Sequence, residues 1–165
     1  MASGFNADEV FEAAIRIEEN GAAFYRKAAD LQSDPKNREF LEKLAAMEDG
    51  HRVTFVEMRK ALTDQEKAGT VFDPQDELSL YLSAMADTHG GEGSPSAADS
   101  LAGTETMEDI LHTAIGLEKE SVLFYLGLKD MVQPKYGLER IDEIIREERS
   151  HIAQLTSLLG SLKTG

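Results

Sequence analysis

Six acidic and imidazole side chains recur in the same order one hundred positions apart. Glu18 is followed by Glu48 and His51, and Glu118 is followed by Glu148 and His151. In each half, thirty residues separate the first glutamate from a Glu-x-x-His. All six interrupt stripes that are otherwise apolar. A carboxylate or imidazole inside a core is costly unless something compensates it. Four carboxylates and two imidazoles facing one point call for about four positive charges, which two divalent metal ions would supply.

Helix geometry makes this feasible. Positions i and i+3 lie about 60° apart around the axis and one turn along. Glu48 and His51 can therefore share one ion, and so can Glu148 and His151. Glu18 and Glu118 would approach from facing helices. This is the donor arrangement of di-iron and di-manganese carboxylate bundles. Oxygen and nitrogen donors without sulfur suit iron or manganese, with zinc a further candidate. The competing reading is a buried polar network that holds no metal.

Tyr25 and Tyr125 each lie seven residues past the first glutamate of their half. Two roles stay open for them: filling the core, or orienting a ligand carboxylate and affecting electron transfer. His89 falls in a glycine-rich stretch and His112 lies off the Glu118 face, so both read as surface histidines. Glu19 and Glu120 also point away from the seam and read as solvated.

Four long helices must carry these residues. The first is expected from Ala7 to about Leu31, with Asn6 and Glu9 as a capping pair. The second opens at Pro35 behind the N-cap Asp34 and runs to about Gln65. The third spans about Thr106 to Lys129. The fourth spans about Leu138 to Leu159, with Gly160 as its C-cap.

Their stripes correspond. Leu41, Leu44, Glu48, His51, Phe55, Met58 and Leu62 match Ile141, Ile144, Glu148, His151, Leu155, Leu158 and Leu162. Phe11, Ala14, Ile15, Glu18, Ala22 and Tyr25 match Leu111, Ala114, Ile115, Glu118, Val122 and Tyr125. Such spacing turns a continuous seam toward neighbouring helices. The expected fold is all-α: an antiparallel four-helix bundle of two repeated hairpins, about 7–65 and 106–162, within a single domain. The crossover, 66–105, should start a short helix at Asp73-Pro74, carrying Leu78, Tyr81, Leu82 and Met85. A mobile loop rich in Gly, Ser, Ala and Pro should follow from Thr88 to Gly103.

Bulk properties narrow the function. The chain has 165 residues, a net charge of -14 and no cysteine. Nucleic-acid backbone needs a basic face and is not expected as a partner. Disulfides, thiolate metal sites and cysteine nucleophiles are excluded. No stretch approaches twenty apolar residues, and Met1–Phe5 lacks a basic, then apolar, leader pattern. No membrane partner is expected, and the cytoplasm is the expected location.

With its Glu18, Glu48-Asp49-Gly50-His51, Glu118 and Glu148-Arg149-Ser150-His151, the chain resembles the ferritin-like superfamily, and within it the rubrerythrin-like branch. The resemblance covers the four helices. It implies a di-iron centre held by all six residues, with Glu48 and Glu148 bridging, that reacts Fe(II) with hydrogen peroxide or dioxygen. Two departures stand out. Rubrerythrins carry a cysteine-rich rubredoxin module, so electrons here would come from a separate donor or from Fe(II) itself. They also carry an extra glutamate one turn after the third-helix ligand, where this chain has Ser121, matched by Gly21. Iron storage or handling, a di-manganese catalase and a metal-free scaffold are the alternative functions. The apolar face of the crossover helix must be covered, by the bundle or by a second subunit, and a homodimer or larger homo-oligomer is expected. The tail from Gly160 to Gly165 reads as a frayed helix end.

Overall fold

The computed structural model describes residues 6–64, 75–89, 96–132 and 137–164. All regular structure among them is helical: α1 (Ala7–Asp30), α2 (Pro35–Lys60), α3 (Glu77–His89), α4 (Met107–Met131) and α5 (Leu138–Thr164). The starts follow the sequence signals. Asn6 accepts from the Glu9 amide at 2.9 Å while the Glu9 carboxylate accepts from the Asn6 amide at 3.0 Å, a closed capping box. Asp34 caps α2 by accepting from the Lys36 amide at 2.8 Å, with Pro35 at the first helical position. Thr106 and Asp109 form a second capping box at the start of α4. Each cap satisfies amides that the helix cannot bond itself.

The long helices pair as α1 with α2 and α4 with α5. Asp8, at the start of α1, meets Arg59, at the end of α2, with 2.8 Å between Oδ1 and Nε. Lys129, late in α4, pairs with Asp142, early in α5. Both hairpins are therefore antiparallel. Two apolar clusters form at opposite ends of the bundle. One contains Phe11, Phe55, Met58, Leu128, Ile141 and Ile144. The other contains Phe24, Leu41, Leu44, Ile110, Leu111 and Leu155. Each fully buried side chain of this size contributes about 1.5–3 kcal/mol. The six polar residues lie between the clusters.

The short helix α3 packs on α4 and α1 through buried Leu82 and Ala86. It crosses α4 at Gly127. A Cβ there would come within 2.7 Å of the Tyr81 ring and 2.9 Å of Leu82. The Tyr81 hydroxyl donates to the Leu123 carbonyl on α4.

Several expectations need correction. α2 stops at Lys60 rather than near Gln65. The chain tightens at Ala61, and the Leu62 amide bonds the Arg59 carbonyl at 3.2 Å, which tucks Leu62 into the core. α4 runs on to Met131. α5 continues to Thr164, so Gly160 is a helical residue and not a C-cap. Its final turns expose Leu162 at 42%, while Leu159 takes the buried position, because a 3.6-residue period drifts off a strict seam. His89 ends α3 instead of lying in a loop. The Asp73-Pro74 helix start lies outside the described residues. Part of the expected mobile loop is packed: Ala98 and Leu101 are buried, and Lys27 Nζ donates to the Ala98 carbonyl at 2.8 Å. Among the described residues, no helix is long and apolar enough to cross a membrane.

Candidate metal centre

Each long helix delivers its polar residue to the same layer. Glu18 comes from α1, Glu48 and His51 from α2, Glu118 from α4, and Glu148 with His151 from α5. All six are between 0% and 3% exposed. The bundle thus brings together all six residues that the sequence singled out.

The cluster divides into two overlapping sets. One is Glu18, Glu48, His51 and Glu148, and the other is Glu48, Glu118, Glu148 and His151. Within each set one donor atom per residue lies within 4.8 Å of all the others. Glu48 and Glu148 belong to both. His51 Nδ1 stands 3.5 Å from Glu18 and 3.3 Å from Glu148. His151 Nδ1 stands 3.6 Å from Glu48, 3.4 Å from Glu118 and 3.2 Å from Glu148. The two imidazoles face each other with ring centroids 5.9 Å apart and planes 24° from parallel.

The donor chemistry fits a pair of cations. Glu18 Oε2, Glu48 Oε1, His51 Nδ1, Glu118 Oε2 and Glu148 Oε1 are buried without a hydrogen-bond partner. Buried polar atoms are rarely left so, and each costs about 1–3 kcal/mol. Five of them converging on one layer form an electron-rich cage that metal ions would satisfy.

Electrostatics without metal lead to the same conclusion. Burial, reinforced by neighbouring Glu148, pushes the Glu18 carboxyl up to about 7. Burial and the other carboxylates push Glu48 and Glu118 well above the usual range. Burial disfavours charge on His51, but contacts with Glu148 and Glu18 outweigh it and raise the imidazole to about 11. The same balance, through Glu118 and Glu148, raises His151 to about 9. Glu148 alone is held well below the usual range, because its contacts with Glu118 and both histidines outweigh burial. Four like charges cannot coexist in a dry layer. The metal-free cluster therefore retains protons that metal binding must displace.

The chain gives a match to the family model for the ferritin-like domain over residues 6–161. It belongs to the ferritin-like domain family. The fold has a counterpart among solved structures, a Thermotoga maritima protein described as ferritin-like and diiron-carboxylate. The two share 21% identity with a TM-score of 0.73, over 96% of this chain and 97% of that one. No curated protein gives a match.

In this ferritin-like bundle the rings of Tyr25 and Tyr125 are buried in the apolar clusters while their hydroxyls reach carboxylates of the centre. The Tyr25 hydroxyl donates to Glu118 Oε1 at 2.5 Å, and the Tyr125 hydroxyl donates to Glu18 Oε1. Each hairpin thus supports the other hairpin's glutamate. His112 is exposed and sits 3.8 Å from Glu108. Glu19 is exposed and pairs with Arg52 at 3.0 Å.

Two contributors escaped sequence reasoning. A Cβ on Gly21 would meet Glu48 Oε2 at 2.7 Å, so Gly21 makes room for that carboxylate. Beside it lies a cavity of about 20 Å³ bordered by Tyr25, Glu48, Glu118 and Ser121, room for about one water. Ser121 turns away and donates to the Leu117 carbonyl at 3.1 Å. The second is Glu147, whose Oε2 is 2.6 Å from His51 Nε2. Its only sequence signal is an acidic neighbour to Glu148, which does not distinguish it from a solvated residue.

Proposed function

We propose that this ferritin-like protein is a di-iron carboxylate oxidoreductase of rubrerythrin-like type, acting as a peroxidase or ferroxidase. The observation that carries the reading is the set of five unpartnered buried donor atoms within two overlapping ligand groups. Glu18, Glu48, His51 and Glu148 would hold one ion, and Glu48, Glu118, Glu148 and His151 the other. Glu48 and Glu148, common to both groups, would be shared between them. Two ferrous ions held there would supply the two electrons that, with two protons, convert hydrogen peroxide to two waters.

The chain's own groups do the rest. Tyr25 and Tyr125 fix the orientation of Glu118 and Glu18. The apolar clusters on either side limit water at the centre. The cavity beside Gly21 and Ser121 admits only a small molecule. Without cysteine, the chain depends on a separate electron donor to return to the ferrous state. A cytoplasmic homodimer or larger homo-oligomer is the assembly this reading favours.

Anaerobic ferrous loading followed by peroxide tests it. Two irons should bind per chain, and one peroxide should be consumed per two irons. Tens of irons per chain would point to storage instead. A Glu48→Ala, His51→Ala variant that binds iron and consumes peroxide like the wild type would reject the reading.

A further inference from the structure

The internal repeat pairs Glu18 with Glu118, Glu48 with Glu148, His51 with His151 and Tyr25 with Tyr125. The repeat mate of Glu147 is Met47. His51 therefore has a carboxylate on its outer nitrogen, and the mirror position holds a thioether. Among the described residues, every carboxylate contact of His151 is made by Nδ1.

We propose that Glu147 is a positioning residue that makes the two metal positions unequal, so that the one served by His51 fills first. This rests on the metal reading above. With Nε2–H donating to Glu147, the proton that a metal ion would displace is the one on Nδ1, which opens that nitrogen's lone pair toward Glu18 and Glu148. A carboxylate on the far nitrogen fixes the tautomer and ring orientation and raises the ligand's basicity. At the corresponding repeat position Met47 carries an uncharged thioether, a weak acceptor that cannot play the part of a carboxylate. Glu147 also reaches from α5 to α2, so the second hairpin orients a donor of the first. It is itself 39% exposed on its side chain, at the edge of a groove it shares with Met47, Glu143 and Arg140. It can therefore be replaced without opening the core.

Anaerobic titration of the metal-free protein with Co(II), by calorimetry and visible absorption, reads the two positions separately. The wild type should bind two ions in two steps of unequal affinity. Glu147→Ala should weaken the tighter step by about 10–100-fold and bring the steps together. Met47→Glu should strengthen the weaker step. Two equal steps in the wild type, or a tighter step unmoved in Glu147→Ala, would overturn the inference while leaving the metal centre standing. A wild type that binds no Co(II) would remove the metal centre and this inference with it.

Discussion

At the scale of single residues, the centre depends on what each side chain is denied as much as on what it touches. Glu48 occupies its position because Gly21 has no side chain. Gly21→Ala should therefore displace the Glu48 carboxylate and lower metal affinity about tenfold or more. The same change favours the helix by up to about 1 kcal/mol. Metal-free and metal-loaded melting curves should thus move in opposite directions, and unchanged metal affinity would refute the steric role. The six clustered residues were legible because each breaks an apolar stripe and recurs at a fixed interval. The partners of Tyr25 and Tyr125 were not. Spacing along one helix relates Tyr25 to Glu18, whereas its hydroxyl bonds Glu118 across the bundle. Glu147 was hidden for the same reason, since its histidine belongs to the other hairpin.

At the scale of elements, close approach between helices decides the sign of a substitution. Gly127 lies where α3 crosses α4, with Tyr81 and Leu82 too near for a Cβ. Gly127→Val should cost about 1–3 kcal/mol by overpacking and lower the melting temperature by several degrees. It should also break the Tyr81 contact with the Leu123 carbonyl. Gly160 is the opposite case, since a Cβ there meets nothing within 4 Å and α5 runs through it. Gly160→Ala should stabilise by up to about 1 kcal/mol, and destabilisation would mean that the helix ends there. Helix starts were readable because caps are chemically specific. Helix ends were less so. Glycine at 160 looked like a terminator, but it has helical neighbours on both sides. The sequence around 96–103 read as loose because it is small and polar. Yet Leu101 reaches the core and Lys27 binds the Ala98 carbonyl.

At the scale of the whole molecule, a bundle with ionisable groups across its middle must respond to pH in a definite direction. Glu18 rises from about 4.5 to about 7 on folding, and His151 from about 6.5 to about 9. The folded metal-free protein therefore binds more protons than the unfolded chain across this range. Its stability should fall as pH rises from about 5 through 9. Glu148 acts oppositely, but only below the usual carboxylate range. Metal competes with those same protons, so metal affinity should rise over the interval in which the metal-free protein weakens. Melting temperatures at pH 5.5 and 8.5, with and without metal, check both trends. A metal-free protein that gains stability toward pH 8.5 would contradict them. The most direct test is anomalous diffraction from crystals grown with ferrous or manganous ion. Two peaks per chain should lie between Glu48 and Glu148, one beside His51 Nδ1 and the other beside His151 Nδ1. No peak in this layer, or metal bound only at the acidic surface, would contradict the account.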